Sequence, residues 1–364
     1  MNSFKFKSFI IWGLVLLFIE IVLIFSYFNF SDKEIEVRDQ LAQFFTTKTS
    51  EQNNFPVLKQ NISELALSAE SFISVFVANS GPASAKASAD KSEKILVKKN
   101  EAGQLPIASI TKLMTAVIAL DKYKLDDVVM ITENSLKVDS LSGIYKVGNQ
   151  FFFYNALRAM LIASHNEIAN TFACPELCRG AEKIGAASFI DSMNKKALEL
   201  GLLNTKFANE TGLDPVRSPM PLASADTNGR LTSNGVDPEI DLNYINHSTV
   251  YDIYKLAKYI EENNSDIFYI TAQKEFDLFD IDKKFVGTIK NTNRLLIDQD
   301  IPFRIVGGKT GETDLAKQNL VVVAEAPCGG NIFNVILGSQ NRFEDMKKIL
   351  QYINDSYDWS CPNS

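Results

Sequence analysis

"LPIASITKLMTAVIAL", Leu105 to Leu120, is the stretch on which the reading of this chain turns. Its apolar spacing is that of a buried helix, yet Ser109 and Lys112 stand near its start. Residues three apart lie one above the other on a helical face, so the hydroxyl and the ammonium are neighbours. Burying a lysine beside Leu113, Met114 and Val117 is costly unless the amine is paired or gives up its proton. A lysine so placed needs a chemical reason to be there.

Two further signals follow in order. Ser164-His165-Asn166 falls in the helical pattern that runs from Phe151 to Phe172, at the end of its apolar part. Lys309-Thr310-Gly311 ends the strand-like run "FRIVGGKTG". An S-x-x-K alone is weak, since about one is expected by chance in a chain of this length at average residue usage. Isolated, Ser109 would read as a helix N-cap with an exposed Lys112. Order and placement give the three their weight. A serine hydroxyl is a poor nucleophile until a base takes its proton. Lys112 is such a base if desolvation and a second cation bring its pKa towards neutrality. Lys309 is the candidate second cation, and its charge also suits a substrate carboxylate. Phe151 to Phe153 reads as a core stripe, His165 as a spacer facing solvent or a helical lobe, and His247 as the approach to a helix.

"SFISVFVANS" (71–80) and "KILVKKN" (94–100) read as a strand hairpin, separated by the small, polar insertion that begins at Gly81. "AASFIDSMNKKALELG" is a helix stopped by Gly201. A Pro/Gly/Ser-rich insertion spans about 215–242, and Thr249 with Asp252 starts the helix "VYDIYKLAKYIEE". "FRIVGGKTG", "NLVVVAEAP" and "NIFNVILGS" read as strands, and "RFEDMKKILQYINDS" as a final amphipathic helix. Strands at both ends with helices between them predict an α/β (α+β) sandwich, one sheet built from distant segments plus a helical lobe.

"FIIWGLVLLFIEIVLIFSYF", Phe9 to Phe28, is almost wholly apolar and matches the about 20 residues that cross a bilayer as a helix. Lys5 and Lys7 precede it, which predicts N-in, C-out orientation. No small-residue cleavage pattern follows, so an uncleaved anchor is favoured over a secretory signal. The expected organisation is an anchor (1–30), a stalk (31–67) and an extracytoplasmic catalytic domain (68–358) with insertions near 81–93 and 215–242. Four cysteines suit disulfides in that compartment. The net charge of -7, with no basic run beyond short lysine pairs, argues against nucleic acid. The two histidines lack metal-ligand spacing, and neither metal nor organic cofactor is implied.

The trio of S-x-x-K, S-x-N and K-T-G resembles that of the penicillin-binding D-alanyl-D-alanine carboxypeptidases, relatives of class A β-lactamases. "LRAMLIASHNEIAN", "MNKKALELGLLNTKFANETGLD", "HSTVYDIYKLA", "NTNRLL" and "GGKTGETDLA" are also similar to family segments. The resemblance implies a β-lactamase/transpeptidase-like fold, an antiparallel sheet flanked by helices. It also implies removal of the terminal D-Ala from peptidoglycan stem peptides through an acyl-enzyme on Ser109, with β-lactams as covalent inhibitors. By resemblance Lys112 is the base and Ser164 relays a proton to the leaving amine. Asn166 binds the acyl side of the substrate, and Lys309, Thr310, Gly311 and Thr313 line the substrate strand. The N–H groups of Ser109 and Glu312 form the oxyanion hole. Rivals are a D,D-endopeptidase, a β-lactamase (although "ETGLD" breaks the E-x-x-L-N loop pattern) and a non-catalytic wall-binding protein. Two departures from the family pattern stand out: Glu167 in place of the usual Asp, and Lys317 where glycine is frequent.

Overall fold

The computed structural model describes residues 55–59, 64–78, 93–139, 142–173, 186–215 and 242–359. These belong to one unit, Phe55–Cys361; the other, Met1–Asn54 with Pro362–Ser364, lies outside them. The expected anchor (1–30), the stalk up to residue 54 and nearly all of both insertions therefore lie outside the described residues. Among the described residues, no helix is long and apolar enough to cross a membrane.

Five strands form the main sheet: β1 (Ser71–Val77), β2 (Glu93–Lys99), β3 (Ile305–Thr313), β4 (Lys317–Glu325) and β5 (Asn331–Ser339). Their order is β3-β4-β5-β1-β2, antiparallel throughout. The run "LVVVA" of β4 is buried residue by residue because both faces of the sheet are covered. Val321 and Val323 join one core, Leu320, Val322 and Ala324 the other. Among the described residues there are seven α-helices: α1 (Lys112–Lys122), α2 (Phe153–Ala163), α3 (Asn166–Ala173), α4 (Ala186–Glu199), α5 (Val250–Asn263), α6 (Asp266–Thr271) and α7 (Arg342–Ser356). Helix α7 turns Met346, Ile349, Leu350 and Ile353 onto the second core, the i, i+3, i+4, i+7 stripe of an amphipathic helix. Buried residues of α1 to α5 pack in the first core. Thr249 caps α5 by accepting the Asp252 N–H at 3.1 Å, which satisfies one orphan donor of the first turn.

Four readings are corrected. The helix expected from Leu105 begins at Lys112: Leu105–Pro106 pairs with His247–Ser248, and Ala108–Thr111 is a 3-10 turn. Pro106 restricts the residue before it to extended backbone, and Ala108 sits at φ 47°, so no α-helix can run through them. The helical run from Phe151 to Phe172 is broken. Gln150–Phe152 is a strand, and α2 ends where Ser164 takes a left-handed φ of 63°. Phe152 is exposed between buried Phe151 and Phe153, so the stripe is two rings rather than three. The stalk reading also stops short: Val57–Leu58 pairs with Tyr357–Asp358, and Phe55 meets Phe76 edge-on at 6.0 Å. The folded unit thus begins thirteen residues before 68, because this segment covers the apolar end of the second core.

Candidate active site

Ser109 enters the site from the 3-10 turn, and Lys112 is the first residue of α1 behind it. Gly212 makes that turn possible. At φ 82° it lies so close that a Cβ there would stand 2.0 Å from the Ala108 carbonyl oxygen. The amine of Lys112 is completely buried. Its nitrogen lies 2.9 Å from Ser109 Oγ, 2.7 Å from Asn166 Oδ1 and 2.6 Å from the Thr211 carbonyl oxygen. The orientation of the Asn166 amide is set by its Nδ2, which donates to the Asp139 carbonyl at 2.8 Å. Asn166 Oδ1 and the Thr211 carbonyl can only accept, so they take the two N–H bonds of a neutral amine. That leaves the lone pair facing the one neighbour with a proton to give, Ser109. Burial brings Lys112 down to about 7, while Glu210 and then Glu167 pull it back up.

Lys309 projects from the edge strand β3 and is buried, with Nζ 2.8 Å from Ser164 Oγ and 2.9 Å from the Thr310 carbonyl. Burial, with Lys112 and Arg342 adding to it, holds Lys309 well below an ordinary lysine. Burial is the first cause of the lowering at both Lys112 and Lys309; the repulsion between the two amines acts on both and adds to the lowering of Lys309. Gly308 lets β3 lie against β4, since a Cβ would meet the Val321 carbonyl at 2.2 Å.

A cleft of about 920 Å³ opens over these groups. Ser109, Ser164, Asn166, Thr310, Gly311, Glu312 and Thr313 line it, with Lys112 and Lys309 buried beneath. Thr310 Oγ1 is 2.6 Å from Thr292 Oγ1, and Thr313 Oγ1 donates to Asp214 at 2.8 Å. Asn166 differs from its expected role in one respect. Both ends of its amide already serve Lys112 and Asp139, so a substrate would use the remaining N–H and lone pair. His165 is no free spacer: Nδ1 lies 2.7 Å from the Tyr145 hydroxyl, and burial lowers it to about 4.

Sequence reasoning assigned no role to Thr211, Asp214, Thr292, Glu210 or Arg342. The first four lie in "NETGLD" and "NTNRLL", segments legible as family-like but without a chemical signature. Arg342 had a signal: a cation at a helix N-terminus opposes the macrodipole. In the structure it donates to the Gly311 carbonyl at 3.0 Å and pairs with Glu312 at 2.8 Å.

The D-alanyl-D-alanine carboxypeptidase family model, Peptidase S11, matches residues 82–341. The chain belongs to this family. D-alanyl-D-alanine carboxypeptidase DacF of Bacillus subtilis (strain 168) is 30% identical to this family member over 275 residues, 73% of the chain and 60% of that relative. A D-alanyl-D-alanine endopeptidase of Pseudomonas aeruginosa is 36% identical over 124 residues, covering 33% of the chain and 37% of the relative. The chain thus spans three-fifths of the length of the first of these relatives and less of the second. Among solved structures, penicillin-binding protein D2 of Listeria monocytogenes in its ampicillin-bound form superposes with a TM-score of 0.58 at 22% identity. That match covers 80% of this chain and 98% of the other, so this Peptidase S11 chain shares the α+β fold of that penicillin-binding protein.

Proposed function

We propose that this chain is a membrane-anchored serine D,D-carboxypeptidase that removes the terminal D-Ala from peptidoglycan stem peptides. One observation carries the reading: a buried Lys112 amine, held near neutrality, lies 2.9 Å from Ser109 Oγ at the floor of the cleft. Ser109 Oγ attacks the carbonyl carbon of the last peptide bond as its proton passes to Lys112. The N–H groups of Ser109 and Glu312 receive the developing oxyanion. The C–N bond then breaks as Ser164 passes its proton to the leaving amine of D-Ala, and the proton that Lys112 took from Ser109 replaces it, so Lys112 is neutral again. Water attacks the carbonyl carbon of the resulting ester as Lys112 takes its proton; the bond to Ser109 Oγ breaks, and Lys112 returns that proton to Oγ.

Lys309, together with Thr310 and Thr313 along β3, takes the terminal carboxylate of the peptide. A carboxylate beside Lys309 favours its charged form, which offsets the burial that lowers it. The strained amide of a β-lactam enters by the same attack, and the fold-mate from Listeria was solved with ampicillin bound. A D,D-endopeptidase acting on cross-links is the second reading, supported by the name of the Pseudomonas relative. The Phe9–Phe28 segment anchors the chain and places the catalytic domain outside the cytoplasm.

Labelled penicillin followed by a stem pentapeptide tests the proposal. A covalent adduct on Ser109, absent in Ser109→Ala, together with free D-alanine is the expected result. Cleavage of cross-linked dimers with no release from the pentapeptide would favour the endopeptidase. Rapid penicillin turnover without D-alanine would make the chain a β-lactamase.

A further inference from the structure

The turn that carries Ser164, His165 and Asn166 joins α2 to α3, with Ser164 at φ 63°. A residue other than glycine stays in that region only where its surroundings over-determine it. Two of the bonds that hold the turn belong to the reaction itself: Ser164 Oγ with Lys309 Nζ, and Asn166 Oδ1 with Lys112 Nζ. Both slacken during turnover, as Lys112 exchanges protons and Lys309 takes the substrate carboxylate. A second set of bonds involves neither lysine. His165 Nδ1 lies 2.7 Å from the Tyr145 hydroxyl, Asn166 Nδ2 donates to the Asp139 carbonyl at 2.8 Å, and the Ser142 hydroxyl donates to Glu167. Three successive residues, 165 to 167, are thus each tied to the stretch of chain that leads into Gln150–Phe152.

The Tyr145 tie is built into the core. Its ring is buried and packs edge-on against Phe151 at 5.8 Å and against the His165 ring at 5.3 Å. Among the described residues the Tyr145 hydroxyl has one partner, His165 Nδ1. A buried phenol with a single partner donates to it, since accepting would leave its own proton without an acceptor. Nδ1 therefore accepts, and the imidazole is neutral with its proton on Nε2. Burial acts in the same sense on both rings, lowering His165 to about 4 and raising Tyr145. The bond therefore keeps its polarity through the neutral range. We propose that Tyr145 and His165 are a positioning pair, whose hydrogen bond holds the Ser164 hydroxyl and the Asn166 amide in place while the two lysines change partners. The inference rests on Ser164 and Asn166 acting in the proposed reaction.

The test is the time course of labelling by saturating labelled penicillin, with the full chain at neutral pH. Its amplitude counts intact sites, and its rate constant reads the chemistry at each one. Tyr145→Phe keeps the ring and deletes the donor. It should label to full amplitude with a rate constant lower by roughly tenfold. Tyr123→Phe is the structural control, since the Tyr123 hydroxyl donates to the Phe172 carbonyl at 2.9 Å, further along α3. It also loses a buried phenol bond and some melting temperature, but should label at the wild-type rate. His165→Gln offers Tyr145 an amide oxygen and should recover most of the rate, whereas His165→Phe falls as far as Tyr145→Phe. The double variant Tyr145→Phe/His165→Phe should fall no further than either single one, because one bond is lost in all three. Should Tyr145→Phe not fold, the contrast between His165→Gln and His165→Phe decides the matter. An unchanged rate constant in folded Tyr145→Phe, equal rates in the two His165 variants, or losses that multiply in the double variant would overturn the inference while leaving acylation intact. Failure of the wild-type chain to label removes the acylation reading and this inference with it.

Discussion

Ser164 meets Lys309 at 2.8 Å, Oγ to Nζ, from a backbone held at φ 63°. The left-handed conformation ends α2 and carries the hydroxyl across to the edge strand. For a non-glycine residue it costs roughly 1–2 kcal/mol. The molecule tolerates that strain where it places a polar group. Ser164→Gly relieves the strain and deletes the hydroxyl, so the two effects separate. The variant is expected to melt at or above the wild-type temperature while penicillin acylation falls by roughly 10²-fold or more. Ser164→Ala should lose the same activity without the gain in stability. Equal acylation by all three proteins would remove Ser164 from the reaction.

Lys112 makes stability depend on pH in a direction that can be worked out. Its folded pKa of about 7 lies below the ordinary lysine value of 10.5. Between those two pH values the unfolded chain binds more protons than the folded one, so stability rises with pH through that window. The burial penalty is fully present below about pH 7 and fades above 10. Lys112→Met removes the penalty but leaves Asn166 Oδ1 and the Thr211 carbonyl without their donor, a cost of about 1–3 kcal/mol each that does not vary with pH. The difference in melting temperature, variant minus wild type, should therefore become less positive from pH 7 to pH 10. A difference that does not change with pH would mean the amine is not depressed in the folded state.

The amphipathic stripe of α7, the unbroken apolar run of β4 and the hairpin of β1 with β2 were legible because period and burial are written locally. The trio Ser109, Lys112 and Lys309 was legible for a similar reason: each lies in a short motif on one element. The break at Ser164 was not, because alanine and leucine spacing continues through it and a left-handed serine leaves no mark in the pattern. Nor were Glu210, Asp214 and Thr292 legible. They reach the cleft only because the topology folds the 209–214 turn and the segment before β3 over α1 and α2, a long-range fact that no local periodicity contains. The pairing of Val57–Leu58 with Tyr357–Asp358 is of the same kind.

Two glycines at similar angles separate backbone strain from site geometry. Gly201 has φ 67° and Gly212 has φ 82°, but a Cβ at Gly201 meets nothing within 4 Å whereas one at Gly212 strikes the Ala108 carbonyl. Gly201→Ala should cost only the conformational term, about 1–2 kcal/mol, and acylate normally. Gly212→Ala adds a collision with the turn that bears Ser109, so its acylation should fall by roughly 10²-fold even where the protein remains folded. Active-site titration with labelled penicillin beside a melting curve reads both quantities. Parallel losses in the two variants would show that close packing against Ala108 does not hold the nucleophile.

Lys317, the departure noted where glycine is frequent, opens β4 directly after the turn from β3, at φ 54°. The backbone there keeps the conformation glycine adopts freely, and the side chain pairs with Glu70 in an exposed ion pair. Such a pair contributes about 0–1 kcal/mol and weakens with salt. The left-handed backbone costs about 1–2 kcal/mol. Lys317→Gly removes both, but glycine also raises the entropy of the unfolded chain by up to about 1 kcal/mol. The balance is close at low salt. The expected result is a variant near wild-type stability in dilute buffer that gains relative to wild type as salt is raised towards 1 M. Melting curves of the two proteins at both ionic strengths decide it. A gap that moves against the variant with added salt would mean that the Lys317–Glu70 pair is not what stabilises this turn.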